Sequence, residues 1–314
     1  MFRFGKLIIC LGILVALFMI TGCAQTFHVK NPTPSSVVYD QALQESIALK
    51  INDQRAGEDL KISSGTLTVN LKNLEDEILF LGSNLEKAFN SRGINVKYST
   101  EDESGLKLIV NKYSIRNIRV SGFSPYWTYT TFSGDMQKDG KVHKITFYFE
   151  SGKTPIWSFN EVEDPCYNVP VSLMVKEIAS KINRLYFGLK APDAKVASLT
   201  EAINGKLDES TFLKVLELGY TNNPEAVEPL VKLAGHEDSM VRMSAICSLG
   251  MLGAVEKFDF LKNLYNSAEG GEKSMVLKSI GDLGSPEAVE FLKSVKSSSA
   301  YQDEMIQEAV DLYL

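Results

Sequence analysis

The stretch Asn223–Gly253, NPEAVEPLVKLAGHEDSMVRMSAICSLGMLG, contains the pattern that decides the fold of the second half of this chain. Its segment Ala226-Val227-Glu228-Pro229-Leu230 has counterparts that begin at Lys195, Lys257 and Ala288, so that each start lies 31 positions after the one before. The second and fifth positions are apolar in all four segments. Such a period is typical of a solenoid, in which each repeat buries its apolar faces against its neighbours.

A second set of positions repeats with the same spacing of 31 residues: Leu218-Gly219, Leu249-Gly250 and Ile280-Gly281, and likewise Gly253 and Gly284. Each unit is therefore predicted to consist of a helix, a short turn and a second helix. We expect four such units, which form an all-α solenoid over residues 194–314.

The opening of the second helix, Asp238-Ser239-Met240-Val241-Arg242, resembles the HEAT-like repeat of the phycobilisome-lyase type. The resemblance implies a scaffold and no lyase activity, because this repeat occurs in unrelated proteins. Asp238 is expected to cap its helix, and Arg242 to reach a carboxylate nearby. The other units depart from the pattern at the position of Arg242, where they have Thr211, Lys273 and Glu304.

Residues 38–190 mix strand and helix patterns, which predicts an α+β domain. Apolar residues at helical spacing indicate helices at about 74–91 and 171–186. Elsewhere apolar residues alternate with polar ones; Lys138-Asp139-Gly140 indicates a hairpin, and a short strand is expected at 156–159. We expect an antiparallel sheet with the two helices on one face.

The order of these elements, together with Asp53-Gln54-Arg55 after the first strand, resembles small outer-membrane lipoproteins of the YajG-like and transport-auxiliary type. The resemblance covers about residues 38–188. It implies an α+β lipoprotein domain of the kind found in assembly-associated lipoproteins of bacteria with two membranes.

The first 22 residues predict an export signal. Arg3 and Lys6 are followed by the charge-free apolar run Leu7–Ile20, which is too short to span a bilayer comfortably. Ile20-Thr21-Gly22-Cys23 resembles a bacterial lipobox, which implies lipidation of Cys23 and recognition of Ile20, Thr21 and Gly22 by signal peptidase II. An ordinary secretory signal with a chance cysteine and an uncleaved membrane anchor are the alternatives.

Residues 23–37 are expected to form a lipidated tether. Asn31-Pro32-Thr33-Pro34 predicts an extended spacer between the membrane and the folded part. Ala24 stands where inner-membrane lipoproteins of enteric bacteria have Asp, so the resemblance implies the outer membrane, with the protein facing the periplasm.

Composition excludes several functions. The net charge of −6 becomes two units more negative when Arg3 and Lys6 leave with the signal, and an acidic protein has no electrostatic basis for binding nucleic acid. His28, His143 and His236 are too scattered for a metal site, and no catalytic motif is present. We therefore expect no enzyme activity, no metal and no cofactor.

Two cysteines remain after Cys10 and Cys23 are assigned to the signal and the lipid. Cys166 follows a proline in a predicted loop and is expected to be a half-exposed thiol. Cys247 is expected to be buried in a helix. A bridge between them is not expected, because they fall in different predicted domains.

Two regions are candidates for partner contact. The first is the aromatic cluster with Tyr126, Trp127 and Tyr129, whose rings either pack under the sheet or bind a partner. The second is the C-terminal helix, which ends at Tyr313 and Leu314 without a polar cap and either packs back on the α+β domain or meets a partner. Arg242 is a further candidate contact on the repeats.

These features predict a membrane-anchored envelope lipoprotein that acts as a non-catalytic adaptor or scaffold and binds an envelope protein through its HEAT-like repeats. The alternative is an accessory lipoprotein subunit of an envelope transport or outer-membrane assembly machine. An envelope enzyme is the third possibility.

Overall fold

The computed structural model describes residues 24–102, 104–205 and 208–314. The predicted signal and Cys23 lie outside the described residues. The strands are β1 (Gln25–His28), β2 (Leu43–Asp53), β3 (Ser63–Gly65), β4 (Val69–Lys72), β5 (Ile94–Tyr98), β6 (Leu106–Ile118), β7 (Tyr126–Lys138) and β8 (Lys141–Lys153). The helices of this half are α1 (Glu77–Asn90), α2 (Asn160–Glu163) and α3 (Val169–Tyr186).

The large sheet has the strand order β5-β2-β6-β7-β8, and β3 pairs with β6 beyond this path. Strand β2 runs parallel to both β5 and β6, whereas β6, β7 and β8 are antiparallel. The α+β class is confirmed. The expectation of a purely antiparallel sheet is wrong, because α1 carries the chain from β2 to β5 as a crossover, and such a connection produces parallel strands.

The hairpin between β7 and β8 is confirmed. Lys138 pairs with Lys141, and the two residues between them have positive φ angles, 51° at Asp139 and 75° at Gly140. An Asp-Gly pair with this backbone is the tight turn that matches the twist of two antiparallel strands. The short strand predicted at 156–159 is absent, since these residues form the loop between β8 and α2.

Residues 24–37 pack against the rest of the protein, so the prediction of an extended spacer is wrong for them. Strand β1 pairs in parallel with β4, and Phe27, Val29 and Val37 are buried. Further along, the Ser35 hydroxyl and the Ser36 amide both donate to the Glu217 carboxylate, at 2.6 and 2.9 Å. Burial of these apolar side chains holds the segment in place despite its two prolines.

Within residues 193–205 and 208–314, four helix pairs are described, in agreement with the predicted repeats. They are α4 (Asp193–Asn204) with α5 (Thr211–Tyr220), α6 (Val227–Leu233) with α7 (Ser239–Leu252), α8 (Phe258–Ser267) with α9 (Gly270–Leu283), and α10 (Pro286–Lys296) with α11 (Glu304–Asp311). The second helices α5, α7, α9 and α11 pack on one another in sequence and form the inner layer of the solenoid.

Two of the repeated glycines, Gly219 and Gly250, lie where successive second helices pack closely. A Cβ atom on Gly250 would lie 2.6 Å from the backbone oxygen of Ser279, and one on Gly219 would lie 2.8 Å from the Ser248 hydroxyl. Ser279 in turn donates its hydroxyl to the Ile246 carbonyl at 2.6 Å. The period of 31 residues therefore repeats a close helix contact as well as an apolar stripe.

The ends of α7 agree with the sequence prediction. The Asp238 carboxylate accepts hydrogen bonds from the amides of Met240 and Val241, which satisfies two free donors of the first turn. Gly253 ends the helix with φ of 66°, and Gly284 ends α9 in the same way. Glycine is favoured there because a left-handed residue strains any side chain that carries a Cβ.

Helix α3 joins the two halves. It packs against α1 and β8 in the sheet half and against α5 and α7 in the repeats, so that one hydrophobic core runs through both. The predicted apolar stripe of this helix is confirmed, but its other sides are buried as well, including Glu177 and Lys181.

Candidate functional site: an apolar groove between the repeats and the sheet

A groove of about 760 Å³ lies between the inner layer of the repeats and the end of strands β7 and β8. The repeat wall consists of residues on α5, α7 and α9, with apolar contributions from Phe212, Leu213, Leu216, Met240, Met243 and Met275. Methionine side chains are flexible and polarizable, so a wall of this kind adapts to apolar groups of different shape.

The opposite wall belongs to the sheet half. Trp127 on β7 lies against Gly152 on β8, where a Cβ atom would come within 2.4 Å of the indole ring. Phe149, Pro165 and Val169 continue this wall. Glycine at position 152 thus leaves room for the indole, which keeps 38% of its surface exposed.

Glu150 is a half-buried acid in the sheet wall. Burial and the nearby charge of Asp303 raise the pKa of its carboxyl group above the usual value, with burial the larger cause. Within the described ranges no hydrogen bond or ion pair satisfies this carboxylate. One of its oxygens lies 2.5 Å from where a Cβ atom on Gly271 would be, next to the N-terminal end of α9.

A second acid in the groove is held by an ion pair between repeats. The Arg242 guanidinium donates to both oxygens of Glu272, from Nε at 3.0 Å to one and from a terminal nitrogen at 2.8 Å to the other. Another guanidinium nitrogen donates to the His236 carbonyl at 2.7 Å. The predicted reach of Arg242 to a carboxylate is therefore correct, and the pair joins the second unit to the third.

The aromatic cluster divides between core and groove. Tyr126 is fully buried, and its hydroxyl group contacts that of Tyr167, so its prediction as a partner contact is wrong. Tyr129 is 9% exposed; the Arg116 guanidinium lies 5.0 Å above its ring. Tyr126 is buried against Tyr167 and the small core around it, and Tyr129 is covered by α11, where its hydroxyl contacts the Met305 sulfur. Trp127, in contrast, lines the groove.

The C-terminal helix packs back on the sheet half. Glu308 on α11 pairs with Lys112 and Arg116 of β6, at 3.1 and 3.3 Å. The Tyr313 hydroxyl reaches inward to the Asp282 carboxylate at 2.7 Å, whereas Leu314 remains 38% exposed at the chain end. The first of the two alternatives for this helix is thus the correct one.

The thiols of the two remaining cysteines, Cys166 and Cys247, are both buried. Cys247 in α7 agrees with the prediction, but Cys166 is fully buried in a π-helical turn, so its prediction as a half-exposed thiol is wrong. Burial raises the pKa of each thiol to about 12. A protonated, buried thiol is a poor nucleophile, and both cysteines are free of disulfide bonds.

The described residues contain no group of three or more His, Cys, Asp or Glu side chains that is arranged to hold a metal ion. Among the same residues, no helix has the length and the apolar character needed to cross a membrane.

Sequence reasoning missed the groove. The inward position of Met240, Met243 and Met275 could be predicted from the repeat pattern, because they belong to predicted second helices. The role of Glu150 could not be predicted from the sequence, because it depends on how the sheet lies against the repeats.

Comparison with known proteins supports the helical half alone. No curated protein matches the chain. One solved structure, described as "Crystal structure of uncharacterized protein", shares 12% identity over 52% of this chain and 96% of its own, with a TM-score of 0.28. The family model of HEAT repeats matches residues 213–273, and the C-terminal half of this protein is accordingly a HEAT-like solenoid.

Proposed function

We propose that this protein is a membrane-anchored lipoprotein of the bacterial envelope that acts as a non-catalytic scaffold and binds a segment of a partner protein in the groove. The groove carries this proposal, because HEAT-like repeats present extended surfaces for protein partners and here one such surface remains open beside the sheet. Its volume of about 760 Å³ is enough for several side chains of a bound segment.

The charges of the groove indicate which segment fits. Its walls are mainly apolar, and the carboxylates of Glu150, Asp164, Glu209 and Glu272 line it. Asp164 is paired with Lys30 at 2.7 Å. Arg242 neutralises Glu272, whereas the Glu150 carboxylate has no cation beside it in the described structure. An apolar segment with a lysine or arginine placed to reach Glu150 satisfies both features.

The same charges argue against a lipid as the ligand of the groove. An acyl chain would fit the apolar walls, but its phosphate or carboxylate head would meet the unpaired Glu150 and the exposed Glu209. Repulsion between like charges at a partly buried site is costly, so a basic protein segment is the better ligand.

A photo-crosslinking amino acid at position 212, in the groove, tests this proposal in envelope preparations. We expect one discrete polypeptide adduct, and we expect Glu150→Lys to remove it because the charge reversal repels the basic residue. The same probe at Val142, which is 57% exposed at the far end of β8, is the control. Identical adducts from both positions, or an adduct that survives the charge reversal, would contradict the proposal.

The anchor is tested separately with Cys23→Ser. Loss of the acceptor sulfur should leave the precursor uncleaved and release the protein from lipid-dependent membrane association. Normal processing and membrane fractionation of this variant would overturn the lipoprotein assignment while leaving the groove proposal intact.

A further inference from the structure

Three large apolar side chains project almost fully into solvent from two loops. Val120 and Phe123 are 86% and 102% exposed on the loop between β6 and β7, and Trp157 is 85% exposed on the loop between β8 and α2. No other large apolar side chain in the described ranges is as exposed. Exposed apolar groups clustered in this way mark interaction surfaces.

The two loops leave the same end of the sheet. Tyr126, which follows the first loop, pairs with Lys153, which precedes the second. The Arg119 guanidinium of the first loop lies 5.3 Å above the Phe159 ring at the end of the second. The exposed side chains therefore belong to one continuous surface, which we call the loop surface (residues 119–125 and 154–159).

The described chain begins beside this surface. The Gln25 amide donates to the Thr68 carbonyl at 3.0 Å, and the Arg119 amide donates to the Thr66 hydroxyl at 2.7 Å. Thr66 and Thr68 are two residues apart, which limits the separation of their Cα atoms to about 7 Å. The predicted lipid site, Cys23, precedes the first described residue by a single peptide bond.

The first loop is held in shape without any packing of Phe123. The Arg119 guanidinium donates to the Gly122 carbonyl at 2.7 Å, and the Ser121 amide donates to the Ser124 hydroxyl at 2.9 Å. The loop thus presents its phenyl ring outward in a fixed conformation, at little further cost in conformational entropy on binding.

We propose that the loop surface contacts the membrane, with Val120, Phe123 and Trp157 seated in the interfacial region of the bilayer that holds the Cys23 lipid. This proposal rests on the membrane anchor of the proposed function. Tryptophan is favoured at the level of lipid headgroups, and apolar side chains inserted there supply a second attachment beside the acyl chains.

The charges of the loop surface fit phospholipid headgroups. Arg119 lies on it and Lys153 borders it at the end of β8, and both attract anionic lipid phosphates. One acid lies beside Trp157: the carboxylate of Glu161 accepts a hydrogen bond from the Trp157 amide at 3.5 Å. Cations beside exposed aromatic and apolar tips are typical of interfacial membrane contacts.

Fluorescence quenching by brominated lipids tests the proposal on the full lipidated chain. The protein has two tryptophans, so Trp127→Phe leaves Trp157 as the single reporter. In vesicles of phosphatidylethanolamine and phosphatidylglycerol, we expect quenching to be strongest with bromine at the headgroup end of the acyl chain, since interfacial side chains reach a depth of about 5–10 Å. Phe123→Ser should weaken this quenching.

A reporter at the other end of the sheet is the matched control. Val142→Trp, introduced with Trp127→Phe and Trp157→Phe, places the indole beside the β7–β8 turn, where it should remain unquenched. If the protein floats with the vesicles but Trp157 remains unquenched, the membrane contact of the loop surface is rejected and the lipid anchor is retained.

Two other results also decide the matter. Failure of the protein to float with vesicles would reject the anchor and the membrane contact together. Trp157 could also become better shielded from a water-soluble quencher as the protein concentration rises, while brominated lipid does not quench it. This result would show that a second copy of the chain covers the loop surface, and it would reject the membrane contact.

Discussion

The ammonium group of Lys278 in the third repeat lies 2.5 Å from the carboxylate of Glu177 on helix α3, and both side chains are almost inaccessible to solvent. Lys181 lies 2.7 Å from the same carboxylate, and Asp282 contacts Lys181 and Lys278 at 2.6 and 3.1 Å. Two positive and two negative groups thus form a buried neutral cluster. Because α3 belongs to the sheet half and α9 to the repeats, this cluster joins the two halves.

Removal of one charge from the cluster should destabilise the whole chain. In Lys278→Met only Lys181 remains to neutralise the buried carboxylates of Glu177 and Asp282. Loss of one member of a buried ion pair costs about 3–5 kcal/mol of stability. Urea denaturation followed by circular dichroism measures this loss. Since one core spans both halves, we expect a single transition shifted to lower urea concentration.

Lys293→Met is the matched control for this variant. Lys293 also pairs with an acid, Glu290 at 2.8 Å, but both side chains are exposed. Exposed pairs contribute about 0–1 kcal/mol. An equal effect of the two variants would refute a structural role for the buried cluster.

The same cluster should make the protein sensitive to acid. Burial opposes the charge on Asp282, but Lys181 and Lys278 outweigh it and lower its pKa to about 2. A lowered pKa stabilises the fold above the unfolded value of about 3.9, and this stabilisation is lost as the pH falls towards 2. Asp282→Asn should therefore lower the melting temperature at pH 7 by much more than at pH 2.5, and equal losses at both values would contradict this assignment.

A methyl group between the second helices should separate adjacent repeats. Gly250→Ala gains up to about 1 kcal/mol of helix propensity, but its Cβ would meet the Ser279 backbone at 2.6 Å. Overpacking of this kind costs about 1–3 kcal/mol, and rigid backbone cannot move aside as a side chain does, so we expect a net loss of stability. Thermal unfolding measures it.

Gly235→Ala provides the comparison for Gly250→Ala. A Cβ atom there would find only the Lys232 carbonyl, at 3.7 Å, so the melting temperature should stay close to that of the parent protein. If Gly250→Ala were tolerated as well, close helix approach would not explain the repeated glycine.

The solenoid was predictable because its units repeat local signals, such as the left-handed glycines Gly253 and Gly284 that end α7 and α9. The buried cluster was not, since Glu177 and Lys181, like Lys278 and Asp282, are spaced by four residues. Opposite charges at that spacing are typical of a solvent-exposed helix face. Only the packing of α3 against α9 shows that these faces meet each other.

The packing of the N-terminal segment was likewise not predictable from the sequence. Asn31-Pro32-Thr33-Pro34 does predict extended backbone, but the sequence around it carries no sign that Phe27 and Val29 fill a core together with β4 and the helical turn that carries Tyr167. The groove also depends on contacts between distant segments, because Trp127 and Met275 share it while 148 positions separate them.

We expect the charged Glu150 side chain to lower the stability of the fold at neutral pH while it contributes to binding in the groove. Its pKa is raised, chiefly by burial, so the folded state favours the protonated acid and the charged form destabilises the fold once the pH exceeds the unfolded value of about 4.3. Glu150→Gln should therefore raise the melting temperature at pH 7, and this gain should vanish near pH 3, where the parent side chain is protonated in both states.

The same variant should weaken the groove adduct obtained from the probe at position 212, because the neutral amide no longer attracts a basic residue. Glu209→Gln, at an exposed acid of the same groove, should leave the melting temperature unchanged. A Glu150→Gln protein that is less stable at pH 7, or that retains the full adduct yield, would show that this carboxylate does not serve as the acidic contact of the groove.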